Sequence, residues 1–322
     1  MSTKVAINGF GRIGQLVAKN ILDSFSGLRI AAVNDLSSEA ELKNSFANDT
    51  VYGSYGKEIT ARFFAEKDPA NLPWKELGVD IVLECSGFFT EAAGAKKHLE
   101  AGAKKVIISA SSNSLEIPTY LLGVNQDKYS PKDDNIISMG SCTTNAVAPV
   151  IKILDENLGI ENGFMNTVHS YTSSQNKIHP NWRTDKASKL SIIPSSTGAT
   201  KTVEKCLPNL QGKLNGLSLR VPTETVSMVE LVLKVKRVLK PKEMNDILEK
   251  ASQTESLKAI LKVESQKKNS SDIKASSYSA IVQMDLTQVQ GDLIRVMIWY
   301  DNEFGYACRL AEMAEFVAKL SF

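Results

Sequence analysis

The sequence predicts an α/β chain in two parts: a doubly wound parallel sheet first, then an α+β unit whose sheet is mostly antiparallel. Three observations carry this. Short, continuous apolar runs alternate with helical spacings from Lys4 to Met139, as buried parallel strands require. Beyond Cys142 the runs alternate apolar and polar, most plainly over Val226–Val238 and Leu293–Tyr300, the pattern of a sheet with one wet face. A length of 322 residues leaves room for about two domains.

Taken in order, Lys4–Asn8 reads as a buried strand and Gln15–Leu22 as a helix, with Gly9-Phe10-Gly11-Arg12-Ile13-Gly14 between them. A second strand, Leu28–Val33, closes on Asn34-Asp35. Strand, glycine turn, helix and acid-terminated strand form the Rossmann dinucleotide fingerprint. Gly9 serves the tight turn, Gly11 lets backbone approach a pyrophosphate, and Gly14 lets helix and strand pack. The helix N-terminus offers free N–H groups to the phosphates. Asp35 accepts from a ribose 2′-hydroxyl and repels a 2′-phosphate, which favours NAD over NADP. The alternative is a structural βαβ turn with a solvated aspartate.

Asp80–Cys85, Lys105–Ser109 and Ile136–Met139 read as further strands, and Glu91–Ala101 as a helix. Ser86-Gly87, Ser109-Ala110 and Gly140-Ser141-Cys142 then fall at strand carboxyl ends, the edge where ligands sit in such sheets. Ala146–Leu158 carries an apolar stripe and one proline, Pro149, which costs a backbone hydrogen bond unless it lies in the first turns. Pro241–Gln253 and Ala307–Leu320 are amphipathic helices. The expected division is 1–141 plus the C-terminal helix 303–322 for the nucleotide unit, and 142–302 for the second.

Composition narrows the function classes. Lys+Arg 38 against Asp+Glu 36 leaves +2, with no basic excess of the nucleic-acid-binding kind. No apolar run reaches the roughly 18 residues of a membrane span, and the N-terminus reads as no signal peptide. Four scattered cysteines point to a reducing, cytoplasmic setting. Neither they nor His98, His169 and His179 have metal-ligand spacing, so no metal is expected.

Cys142 follows a strand and precedes a helix, a placement that stabilises a thiolate. It is the candidate nucleophile, against the blander reading of a buried structural thiol that Cys85, Cys206 and Cys308 receive. His169, read as standing at a strand start, is the candidate base; His98, on a Lys-rich helix, and His179, in a polar loop, read as solvent-exposed.

Several segments together resemble the phosphorylating glyceraldehyde-3-phosphate dehydrogenase family. They are Asn8–Gly14, Ser141-Cys-Thr-Thr-Asn145, Thr167-Val-His169, Ser196-Thr-Gly-Ala199, Arg220-Val-Pro-Thr223 and Trp299–Tyr306, in order along the whole chain. The resemblance implies an NAD-dependent oxidation of glyceraldehyde 3-phosphate in glycolysis or gluconeogenesis, through a Cys142 hemithioacetal and thioester with His169 as base. It implies that Thr172 and Arg220 bind the substrate phosphate, and that Ser141, Thr143, Thr197 and Gly198 bind the attacking inorganic phosphate. Gly9, Phe10, Gly11, Arg12, Ile13, Gly14, Asn34, Asp35, Lys67, Ser86, Gly87, Ser109, Asn302 and Tyr306 are implied at the cofactor, Asn302 on the nicotinamide carboxamide. Taken alone, Arg220 reads equally as a surface ion pair, Thr197 as a turn residue and Asn302-Glu303 as a helix cap.

The implied assembly is a cytoplasmic homotetramer, with no nucleic-acid or membrane partner. Two segments depart from the family pattern. The stretch before Ile59 is short, as though a hairpin were missing. The Ser173–Lys189 loop, whose Trp182 is expected at a subunit interface, is also short. The alternatives are erythrose-4-phosphate dehydrogenase, whose thioester is hydrolysed, and a binding role on the same fold.

Overall fold

The computed structural model describes residues 2–172 and 191–322. The whole Ser173–Lys189 loop, with His179 and Trp182, lies outside the described residues. The chain divides into two compact units, Met1–Ser141 with Tyr306–Phe322, and Cys142–Gly305.

The first unit holds a six-stranded sheet in the order Arg62–Phe64, Leu28–Asn34, Thr3–Asn8, Ile81–Glu84, Lys105–Ile108, Ile136–Ser138. Every pairing in it is parallel. The strands read as unbroken apolar runs because both faces are covered: Val5, Ile7, Ile81, Leu83 and Ile107 are all fully buried. The strand order reverses at Thr3–Asn8, which places the glycine turn at the topological switch point. The helix Arg12–Ser24 buries Leu16, Val17 and Ile21 on one stripe. A small hairpin pairs Asn48–Asp49 with Gly53–Ser54 in the shortened stretch, and the next strand forms at Arg62–Phe64 rather than near Ile59.

One reading is overturned in this unit. His98 is fully buried on the helix Ala92–Glu100. The Lys-rich face of that helix is solvated, but His98 lies on the opposite face. Its Nδ1 accepts from Trp74 Nε1 at 3.1 Å and its Nε2 lies 3.0 Å from Glu84 Oε2. Glu84, equally buried, also accepts from Asn8 Nδ2 at 2.5 Å and from the Ser86 N–H at 2.8 Å. Asn8 is in register with Asn34 on one side and Glu84 on the other. Three polar residues thus close the apolar strands at the sheet's carboxyl edge, with His98 tying Glu84 to the helix behind.

The second unit opens with the helix Cys142–Leu158, which starts four residues before the apolar stripe does and keeps Pro149 in its interior. Its sheet runs Ile193–Ser196, Leu214–Val221, Ile160–Ser170, Ser227–Val235, Leu293–Tyr300, Ala280–Gln283, Leu261–Glu264, with Gln288–Gln290 also paired to Leu293–Tyr300. Most pairings are antiparallel. Leu214–Val221 on Ile160–Ser170 and Leu261–Glu264 on Ala280–Gln283 are parallel. Ser227–Val235 alternates buried and half-buried positions along its whole length, as its sequence pattern demands. His169 stands next to the end of its strand, not at the start: the apolar alternation of the strand begins upstream, at Ile160.

Candidate active site

Cys142 is the first residue of its helix, and His169 comes to it from the strand Ile160–Ser170. The Sγ of Cys142 lies 3.5 Å from His169 Nε2, within reach for proton transfer between them. The Cys142 residue is partly exposed, but its sulfur is desolvated. That burial pushes the thiol up from its ordinary range. The positive Arg220, the Thr143 hydroxyl and the backbone N–H groups at the helix start act against it and do not prevail. The helix N-terminus therefore favours a thiolate, and burial opposes it more strongly.

His169 is 3% exposed. Burial first, and then the neighbouring Arg220 charge, push its pKa down from 6.5 to about 3. Burial thus works against charge on both members of the pair. Arg220 stands beside His169 because the two are register partners on adjacent parallel strands, so their side chains leave the same face. Arg220 Nη1 lies 2.8 Å from His169 Nδ1 and 3.4 Å from the Ser170 carbonyl. The surface ion pair that Arg220 offers on sequence alone is replaced by this half-buried contact.

Tyr300 escaped the sequence reading. It ends the alternating strand Leu293–Tyr300 and is fully buried. Its hydroxyl meets Thr143 Oγ1 at 2.9 Å and Thr167 Oγ1 at 3.1 Å, and its ring packs edge-on to His169 at 6.1 Å. A polar-tipped aromatic closing an apolar strand is the signal that points to it. Asn302 accepts from Ser170 Oγ and Ser227 Oγ, both at 2.9 Å. Capping of the helix Phe304–Ser321 falls instead to Asp301, whose Oδ1 accepts from the Glu303 and Phe304 N–H groups at 3.0 Å. Thr172 is half-buried just past the His169 strand. Thr197 Oγ1 accepts the Ala199 N–H at 3.2 Å and Gly198 caps the helix Ala199–Cys206. Ser141 directly precedes the nucleophile and is half-buried.

In the first unit the glycine turn has the shape a pyrophosphate needs. Gly9 sits at φ +90, and a Cβ there would stand 2.4 Å from Ser86 N. A Cβ on Gly14 would lie 2.1 Å from the Gly9 carbonyl. At Gly11 a Cβ meets nothing within 4 Å, so this backbone is open to a ligand. The helix it caps has no side-chain cap bond and no acid in its first turn, which suits an anion at that end. Asp35 follows the second strand, its carboxylate accepting from Phe10 N at 2.7 Å and Ser37 N at 3.0 Å. Asn34 bridges to Glu66 in both directions at 2.9 Å, which brings the exposed Lys67 to the same strand end. Arg12 pairs with Asp49 at 2.9 Å and lies over the Tyr52 ring, while Ile13 is half-buried in the first helical turn. Ser86 is anchored to Glu84 through both N–H and hydroxyl, and Gly87 follows at φ +75. Ser109 N bonds Glu84 O at 2.9 Å, and Tyr306 OH donates to Gly140 O at 2.8 Å. These residues fit a dinucleotide.

Among the described residues there is no His/Cys/Asp/Glu cluster suited to a metal, and no helix long and apolar enough to cross a membrane.

Comparison with known proteins agrees with both units. Residues 3–92 match the family model "Glyceraldehyde 3-phosphate dehydrogenase, NAD binding domain", and residues 141–302 match "Glyceraldehyde 3-phosphate dehydrogenase, C-terminal domain". The chain is 44% identical to glyceraldehyde-3-phosphate dehydrogenase of Kitasatospora aureofaciens, over 98% of this chain and 99% of that protein. It is 44% identical to that of Geobacillus stearothermophilus, over 99% of each. Against that of Chlamydia pneumoniae it is 40% identical over the same shares. With an NAD-binding unit and a Cys–His unit matched in order and over almost all its length, the chain belongs to the glyceraldehyde-3-phosphate dehydrogenase family.

Proposed function

We propose that this chain oxidises D-glyceraldehyde 3-phosphate and phosphorylates the product to 1,3-bisphosphoglycerate, with Cys142 as nucleophile and His169 as base. The observation that carries the reading is the 3.5 Å approach of Cys142 Sγ to His169 Nε2, made in a desolvated site. His169 takes the thiol proton as the sulfur attacks the aldehyde carbon, and returns it to the aldehyde oxygen to give the hemithioacetal. The Cys142 N–H is the donor for that oxygen while it carries charge. His169 next removes the hydroxyl proton. NAD, when bound, supplies the hydride acceptor that leaves a thioester on Cys142. Inorganic phosphate then attacks the thioester carbon, and the Cys142 sulfur departs, taking back the proton that His169 removed from the hydroxyl.

Arg220 and Thr172 hold the substrate phosphate, since a guanidinium suits an anion that stays in place. Ser141, Thr143, Thr197 and Gly198 receive the attacking phosphate through hydroxyls and N–H groups. In the first unit Gly9 to Gly14 cradle the pyrophosphate, with Arg12 and Ile13 at the turn. Asn34, Asp35 and Lys67 serve the adenosine end, and Ser86, Gly87 and Ser109 line the sheet edge. Asn302 engages the nicotinamide carboxamide and Tyr306 supports that end. The working form is a cytoplasmic homotetramer.

The test is NAD reduction with glyceraldehyde 3-phosphate, with and without inorganic phosphate, for wild type and Cys142→Ala. Phosphate-dependent turnover lost in the variant is expected. Turnover indifferent to phosphate would replace phosphorolysis by thioester hydrolysis, and erythrose 4-phosphate would then be the substrate to try.

A further inference from the structure

At the carboxyl edge of the parallel sheet, every hydrogen bond around Glu84 points toward it. Its Oε1 accepts from the Ser86 N–H at 2.8 Å and from the Ser86 hydroxyl. Its Oε2 accepts from Asn8 Nδ2 at 2.5 Å and faces His98 Nε2 at 3.0 Å. The far ends of this row are donors that cannot reverse. On one side the Trp74 indole donates to His98 Nδ1 at 3.1 Å, which puts the ring proton on Nε2, toward Glu84. On the other side the Glu66 backbone N–H donates to Asn34 Oδ1 at 2.9 Å. That turns Asn34 Nδ2 to Asn8 Oδ1, at 2.7 Å, and so turns Asn8 Nδ2 to Glu84. Two chains of hydrogen bonds run inward and end on one buried carboxylate, and the donors fill its lone-pair sites.

Asn8 immediately precedes the glycine turn, and the row holds the segments on either side of that turn. On one flank Ser86 spends its N–H and its hydroxyl hydrogen on Glu84, while its oxygen accepts the Phe88 N–H at 3.1 Å. The Ser86-Gly87 turn is thereby set against Gly9, where a Cβ would stand 2.4 Å from Ser86 N. On the other flank Asn34 is bonded to Glu66 in both directions, next to the exposed Lys67. Glu84 and Asn8 are themselves buried, at 1% and 2% exposure, so they act through their neighbours and not on a ligand.

We propose that Glu84 is a positioning residue for the dinucleotide: as the common acceptor of both chains, it fixes the Ser86-Gly87 turn and the Glu66-Lys67 segment where NAD is received. The proposal rests on the reading of Lys67, Ser86 and Gly87 as cofactor residues. Glu84→Gln isolates the role, because it keeps the shape and removes one acceptor. Whichever way its amide is turned, the NH2 meets a donor that cannot reverse, the Ser86 N–H on one side or the His98 Nε2–H on the other.

The experiment is calorimetric titration of the full-length, cofactor-free protein with NAD, paired with steady-state kinetics. The variants are Glu84→Gln and Asn8→Ser, which cuts only the chain toward Asn34. Lys67→Ala and Gly87→Ala test the cofactor reading on each flank and leave the row untouched. In Glu84→Gln the Kd and the KM for NAD are expected to rise roughly tenfold, and in Asn8→Ser by less. In both, kcat and the KM for glyceraldehyde 3-phosphate stay within about twofold. Wild-type NAD affinity in both row variants, with weaker binding in Lys67→Ala or Gly87→Ala, overturns the positioning role and leaves the cofactor reading standing. A fall in kcat or a rise in the KM for glyceraldehyde 3-phosphate as large as the change for NAD also overturns it, because the row would then serve the fold at large. Should Lys67→Ala and Gly87→Ala both bind NAD like wild type, the cofactor reading falls and the proposal with it. Asn8→Ser decides the question where Glu84→Gln does not fold.

Discussion

Among the described residues two histidines are buried, His98 in the nucleotide unit and His169 in the catalytic one, at 0% and 3% exposure. Each ring nitrogen of His98 has a partner of one kind. The Trp74 indole can only donate, which leaves the His98 proton on Nε2, facing Glu84. At His169 the same accounting fails, because Nδ1 faces a donor and an acceptor at equal distance. Burial alone therefore does not separate a structural histidine from a chemical one. What separates them is whether the surroundings fix the proton or leave two placements of similar standing.

The sharpest way to break this comparison is to delete each ring. His169→Asn should lower turnover by roughly 10²–10⁴-fold with the fold intact. His98→Ala should do the reverse. It strips partners from the Trp74 N–H and the Glu84 carboxylate and opens a cavity, for a cost of roughly 3 kcal/mol or more in urea unfolding, with turnover per folded molecule within about twofold of wild type. Loss of turnover in His98→Ala at full folding would end the distinction.

A smaller effect comes from acid. The unfolded chain protonates His169 near its ordinary 6.5, while the folded chain leaves it neutral to about 3. Across that window the unfolded state binds the extra proton, so folding weakens as pH falls from about 6.5 to 3, and no further below. His169→Asn lacks this proton. Its stability should fall less steeply there, by up to about 1.4 kcal/mol per pH unit, as read from denaturation at a series of pH values. Equal slopes would mean that the folded ring titrates normally.

The smallest expected change in stability is at Gly11. Gly11→Ala adds a methyl that meets no protein atom, so the unfolding free energy should stay within about 0.5 kcal/mol. NAD affinity, measured by titration calorimetry, should fall because the open space belongs to the ligand.

The parallel sheet, the glycine turn and the candidacy of Cys142 and His169, which the fold brings within 3.5 Å, are legible because each depends on local pattern: unbroken apolar runs, glycines at fixed spacing, motif residues in order. The His98 network was not legible, because it joins residues from helix, loop and strand whose only local mark is one polar residue ending an apolar strand. Arg220 beside His169 depends on the parallel register of two strands separated by an entire helix, which no local pattern encodes. The raised Cys142 thiol was missed for a related reason: its helix start is visible in sequence, whereas the desolvation that outweighs it arises only in the folded unit.

The last helix, Phe304–Ser321, has a consequence for synthesis. From Tyr306 on it belongs to the N-terminal unit. There Tyr129 bonds Ser321 at 2.9 Å and packs on Phe316, and Cys308 reaches Asn20. On the ribosome the nucleotide unit therefore emerges first and is completed last. At ordinary translation rates it waits roughly ten to thirty seconds while all of Cys142–Gly305 is made. By the end of that wait the catalytic unit, continuous in sequence, has every residue it needs to fold, while the older half of the chain still lacks its last helix.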